Sequence, residues 1–130
     1  MPLIKVHITA GWPARQKETL LDLIHEAVVQ SFEVPETDRY QLLSEYAPDS
    51  FKALDTGLGL VRSARRVLVE IVSRQRERHK KEALYASIAS KLAAHMGIRP
   101  EDLIVTIVTN SDEDWSFGMG RAQFLTGELI

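Results

Sequence analysis

Leu3-Ile4-Lys5-Val6-His7-Ile8-Thr9, read beside Val67-Leu68-Val69-Glu70-Ile71-Val72, decides the fold. In the first stretch Ile4, Val6 and Ile8 alternate with Lys5 and His7, the period-two pattern of a half-buried strand. In the second, Val67, Val69 and Ile71 repeat it. The residues after each stretch are also alike. Gly11 and Pro13 break the first strand, and Leu20, Leu21, Leu23, Ile24, Ala27 and Val28 then recur at helical spacing between Ala14 and Phe32. Val34-Pro35 ends that helix, because a residue before proline avoids the helical region. After the second strand a helix is predicted from about Glu77 to His95, with Leu84, Ile88, Leu92 and Met96 on one stripe and Gly97 placed to stop it. Tyr40 to Tyr46 closes the first unit as a short strand, and Leu103 to Thr109 closes the second. Lys17-Glu18 falls on Lys81-Glu82, Leu20 on Leu84 and Ile24 on Ile88, an offset of about 64 residues.

The expectation is an α/β (α+β) fold. Two β-α-β repeats, at about 1–60 and 66–110, form a four-stranded mixed sheet with both helices on one face. Residues 47–65, with breakers Pro48, Gly57 and Gly59, are expected to be irregular. The other sheet face would carry Leu68, Val72, Ile104 and Val108 with nothing left in the chain to cover it, so a homo-oligomer is expected. The tail from Asn110 to Ile130 holds Trp115, Phe117, Phe124 and three glycines, and is expected to form a C-terminal hairpin or a tight loop. Its aromatics would either plug the sheet end or wall a small pocket.

The bulk numbers narrow the class. At 130 residues, 45% hydrophobic and 26% charged, the chain is expected to be one globular domain. A net charge of −2 gives no field to draw it to nucleic acid or a membrane surface. The absence of cysteine removes disulfides and thiolate metal sites, and no apolar run is long enough to span a bilayer. A cytoplasmic protein is expected, without nucleic-acid or membrane partners.

Candidate chemistry begins at Met1-Pro2. Removal of Met1 would turn the Pro2 nitrogen from an amide into a free secondary amine. An α-amino group titrates near ~7.7–8, so burial and neighbours would set whether it acts as acid, base or nucleophile. Otherwise Pro2 is an ordinary second residue. Arg74 and Arg76 lie two apart just past a strand, on one side of extended chain, and guanidinium forks suit a carboxylate. The basic run continues through Arg78, His79, Lys80 and Lys81 to a helix start, where it either faces an anion or is a solvated face with Glu77 and Glu82 as partners. Asp38 is a turn residue or the carboxylate facing the Pro2 amine. His7, His25, His79 and His95 lack a metal spacing, and Gly57-Leu58-Gly59-Leu60 lacks the third glycine of a dinucleotide loop. No metal and no cofactor are expected.

Several stretches carry a family resemblance. They are Met1-Pro2-Leu3-Ile4, Asp38-Arg39-Tyr40-Gln41, Asp55-Thr56-Gly57-Leu58-Gly59, Arg62-Ser63, Val72-Ser73-Arg74 with Arg76, and the long run from Asn110 through Trp115, Phe117, Gly118 and Arg121 to Phe124 and Gly127. With these the chain resembles the malonate semialdehyde decarboxylase family of the tautomerase superfamily over essentially its whole length. The resemblance implies a tautomerase-like β-α-β duplicate assembled as a homotrimer. It implies that Pro2 is the catalytic amine, that Asp38 acts with it, and that Arg74 and Arg76 bind the carboxylate of a small substrate. Trp115, Phe117, Phe124 and Leu129 would line the apolar part of the pocket. The implied reaction takes malonate semialdehyde to acetaldehyde and carbon dioxide. Its rivals are a keto–enol tautomerase on a 2-oxo acid, a hydratase or dehalogenase of an unsaturated acid, and a non-catalytic binding protein on the same fold.

Overall fold

The computed structural model describes residues 2–130; Met1, whose removal the sequence predicts, lies outside the described residues. Strand β1 (Leu3–Thr9) runs through the sheet with Ile4, Val6 and Ile8 buried and the residues between them half-buried. Helix α1 (Ala14–Phe32) returns across it, burying Leu20, Leu23, Ile24, Ala27, Val28 and Phe32. The helix closes at Glu33, which takes the left-handed conformation and donates its amide to the Val29 carbonyl at 3.0 Å. The chain then reaches Pro35 already turned, and β2 (Tyr40–Tyr46) pairs parallel to β1.

The second unit repeats the first. Strand β3 (Val67–Arg74) alternates buried and half-buried residues along its whole length. Helix α2 (Arg78–Met96) buries Leu84, Ile88 and Leu92, and truncating any of these to Ala would cost about 2–5 kcal/mol. Gly97, at φ 64°, supplies the left-handed residue that ends it. Strand β4 (Leu103–Asn110) pairs parallel to β3. The units join antiparallel through β1 and β3, giving the order β2-β1-β3-β4. The sheet is therefore mixed, with α1 and α2 packed side by side over one face.

The opposite face is half-apolar and open. Leu42 is 56% and Val108 51% exposed, with Leu68, Val72 and Ile104 half-buried around them. Among the described residues no helix is long and apolar enough to cross a membrane. The irregular stretch between the units is anchored to the second one. Asp102, 1% exposed, accepts the Ser63 amide at 2.5 Å and the Ser63 hydroxyl at 2.6 Å. The Gly57–Gly59 turn closes on Asp55, whose carboxylate takes both glycine amides.

The tail corrects one expectation. It is not a β-hairpin: residues 111–130 form a 3-10 turn (Asp112–Asp114), a loop, and one turn of helix, α3 (Gln123–Thr126). Side chains take the backbone groups that a hairpin ladder would need. Asp114 accepts the Ser111 amide, and the Gln123 amide group brackets the loop by accepting from Phe117 N and donating to the Gly118 carbonyl. Gly118, Met119 and Gly120 all take positive φ, which coils the loop instead of extending it.

Candidate functional site

The strand register brings the separate candidates to one end of the sheet. Leu3 pairs with Tyr40 on one side and with Val72 on the other. Pro2 therefore leads β1 where β2 begins and β3 ends, close to Asp38 in the approach to β2 and to Ser73 and Arg74 at the end of β3. Arg74 in turn pairs with Asn110, the last residue of β4. Pro2 is buried, and Asp38 is 6% exposed with its amide bonded to the Pro35 carbonyl.

The two arginines take different partners. Arg74 donates from Nη1 to Asp112 Oδ1 at 2.9 Å, and its guanidinium carbon lies 3.9 Å from the Phe124 ring centroid. Arg76 donates from Nε to Ser73 Oγ at 3.2 Å and sits over the Phe32 ring at 4.9 Å. Burial pulls the Arg76 pKa below its ordinary value; the Arg74 cation adds to this and Asp38 opposes it. These three groups thus form one electrostatic cluster. Within it Arg74 Nε and Arg76 Nη2 are buried with no hydrogen-bond partner among the described residues. A buried donor left unpaired costs about 1–3 kcal/mol, and an anion accepting from both would remove that cost.

The rest of the basic run does not join the cluster. Arg78 pairs with Glu82, His79 with Glu77 and Lys80 with Glu33, all at the surface. Of the two roles open to that run, it takes the solvated face. Among the described residues no group of three His, Asp or Glu could hold a metal. His7 instead bonds Tyr46 and Glu70 on the open sheet face.

Three aromatics of the tail pack together beside the arginines. Trp115 and Phe117 stack at 5.2 Å and 10°, and Phe124 meets Phe117 edge-on at 5.5 Å. Tyr40 extends the group, 5.7 Å from Phe117, and Asn110 fixes it by accepting the Trp115 indole N–H at 2.8 Å. Leu129 is half-buried and tied to the same turn by its amide, which donates to the Gln123 carbonyl. An open cavity of about 510 Å³ adjoins the cluster, lined by Arg74, Asn110, Asp112 and Leu125 among others. In the sequence Tyr40, Ser73, Asn110 and Asp112 have a place only in the stretches that carry the resemblance, and no role in the site. Tyr40 and Asp112 have partners far off in the chain, and Ser73 and Asn110 bond side chains three and five residues on, which no local pattern shows.

Comparison with known proteins places this architecture. Two family profiles, both described as tautomerase enzymes, match residues 2–61 and 38–118. A curated relative from Bacillus subtilis (strain 168), named probable tautomerase YrdN, is 42% identical over 99% of this chain and 100% of its own. A solved malonate semialdehyde decarboxylase is 44% identical, with a TM-score of 0.96 over 98% of this chain and 99% of that one; it was determined as wild type, as a proline-to-alanine variant and in inactivated form, as a basis for decarboxylase and hydratase activities. A fused 4-OT solved as a symmetric trimer is 27% identical, with a TM-score of 0.77 over 96% of this chain and 98% of that one. The chain belongs to the tautomerase superfamily and, within it, to the malonate semialdehyde decarboxylase family.

Proposed function

We propose that the protein decarboxylates a small 3-oxo acid, malonate semialdehyde, with Pro2 as the working amine once Met1 is removed. The observation that carries this reading is the pair of buried, unpartnered guanidinium N–H groups at the sheet end that Pro2 leads. Arg74 and Arg76 hold the carboxylate with its C–C bond aligned to the carbonyl π system. Protonated Pro2 donates to the carbonyl oxygen; on the covalent route the amine first gives up its proton, its neutral nitrogen adds to the carbonyl, and loss of water leaves the iminium. When the bond between the carboxylate carbon and C2 breaks, carbon dioxide leaves and the electron pair moves toward that oxygen or iminium nitrogen. A proton then adds at C2, and the product is acetaldehyde, after hydrolysis on the iminium route. Asp38 stabilises the charged amine. Trp115, Phe117, Phe124 and Leu129 keep water from the carboxylate.

The fused 4-OT solved as a trimer and the open sheet face of this chain support a homotrimer in which the sheet faces cover each other, and we propose a cytoplasmic location. The name of the YrdN relative favours a second reading, keto–enol tautomerisation of a 2-oxo acid with neutral Pro2 as base. The test is carbon dioxide release from malonate semialdehyde by protein whose Met1 removal is verified by mass spectrometry. Carbon dioxide release that is lost in Pro2→Ala supports the decarboxylase; its rate falls as pH rises through the amine pKa where protonated Pro2 polarises the carbonyl, and rises where neutral Pro2 forms the iminium. A rate that rises with pH on a 2-oxo acid, without carbon dioxide release, supports the tautomerase. Borohydride capture on Pro2 separates the iminium from the hydrogen-bonded route.

A further inference from the structure

The tail holds Arg74 from two sides. Asp112 takes Nη1 at 2.9 Å, and the Phe124 ring lies 3.9 Å from the guanidinium carbon. A planar fork held against a ring and tied at one corner has little freedom left to rotate. Both holders are themselves braced. Asp112 opens a turn closed by reciprocal Ser111–Asp114 bonds, and Phe124 is met edge-on by Phe117. In that orientation Arg74 Nε is buried and unpartnered, as is Arg76 Nη2.

We propose that Asp112 is a positioning residue. By occupying Nη1 of Arg74 it presents Nε, instead of the paired Nη groups, to the site. The substrate carboxylate then bridges the two guanidiniums, one oxygen on Arg74 Nε and the other on Arg76 Nη2. The inference rests on the proposed role of this pair as the carboxylate clamp and adds how that clamp is aimed. A bridged carboxylate has its plane set by two separate residues, and with it the angle between the breaking bond and the carbonyl. Without Asp112 all five Arg74 donors are free, and the carboxylate is captured end-on by the Nη pair. It is still bound, but turned, so the loss falls on kcat and not on KM.

The test compares Asp112→Ala with Asp112→Asn, whose side-chain oxygen still accepts from Nη1. Asp112→Ser replaces the Ala variant should that fail to fold. In malonate semialdehyde decarboxylation the Ala variant is expected to lose about tenfold in kcat with KM unchanged or lower, and the Asn variant to stay within about threefold of wild type. A second readout needs no turnover: the Arg74 Nε–H NMR resonance, titrated with 3-hydroxypropanoate. It is expected to move in wild type and Asn and to stay in place in Ala. Retained kcat in the Ala variant overturns the proposal, as does an Asn variant as impaired as Ala, or a raised KM with kcat intact. If the wild type releases no carbon dioxide, the decarboxylase reading fails by itself. The resonance then decides alone whether Asp112 aims Arg74.

Discussion

Replacing Arg76 by Met should make the ligand-free protein more stable and nearly inactive. The folded environment disfavours the Arg76 cation: burial is the largest influence, Arg74 adds repulsion, and Asp38 only partly compensates. The sign is set by linkage. A base whose folded pKa lies below its unfolded value makes folding less favourable at every pH where it is charged, so at neutral pH the cost is fully present. The buried, unpartnered Nη2 group accounts for about 1–3 kcal/mol of that cost. Against it, Arg76→Met gives up the Nε bond to Ser73 Oγ, about 0.5–1 kcal/mol, and the cation over Phe32, about 0.5 kcal/mol. Ser73 keeps a partner, since its hydroxyl also donates to the Arg74 carbonyl. Methionine fills most of the volume of the arginine stem. The balance is about 1 kcal/mol in favour of the variant, or roughly 3–5 °C in Tm. Carbon dioxide release should fall about a hundredfold in kcat/KM, the value of one charged hydrogen bond to the substrate carboxylate. Thermal unfolding without ligand, followed by calorimetry, checks the stability half. A Tm below wild type would refute the reasoning, because it would mean that the site favours the cation even when empty.

Two further outcomes concern other parts of the chain. Val108→Asp puts a charge on the open sheet face, where Val108 is 51% exposed, and should convert the proposed trimer to monomer in light scattering; an unchanged assembly would show that another surface holds the subunits together. Burial works to raise the Asp102 pKa, but the Ser63 hydroxyl and amide, with Arg99, outweigh it and hold the carboxyl below the usual range near ~3.9. A carboxyl depressed on folding contributes stability above its unfolded pKa and loses it as pH falls through the folded value. Ser63→Ala should therefore cost about 1.5–3 kcal/mol at pH ~7 in urea unfolding, and much less well below pH ~3.9. A gap of equal size at both pH values would count against the carboxylate as its source.

The duplicated unit was legible because burial imposes its period on the sequence. Ile4, Val6 and Ile8 must alternate to face two helices, and Leu84, Ile88 and Leu92 must fall on one stripe to meet the sheet. Element bounds agreed within a residue, apart from strand β3, which runs on to Arg74 although the sequence placed that residue just past the strand; helix α1 ends at Phe32 as expected, closed by Glu33 ahead of Val34-Pro35. The tail was less legible. Its aromatic spacing fits a hairpin or a coil equally well, and the choice was made by the Gln123 side chain reaching back to Phe117 and Gly118. The site was legible in part. Arg74 and Arg76 stood out by charge and spacing, whereas Asp112 and Tyr40 acquire meaning only from residues far away in the chain.

By itself the amino-acid sequence determined which residues turn inward, the four strands and two long helices of the duplicated unit, and that a half-apolar sheet face is left uncovered. These are properties of local period and composition, and each can be read within one element. Only the tertiary structure decided that Pro2, Asp38, Arg74 and the tail's aromatics share one end of the sheet. That end is assembled by pairing β1 with both β2 and β3, contacts between residues dozens of positions apart. The tertiary structure also decided which arginine nitrogens are left unpartnered, since hydrogen-bond satisfaction depends on every neighbour at once.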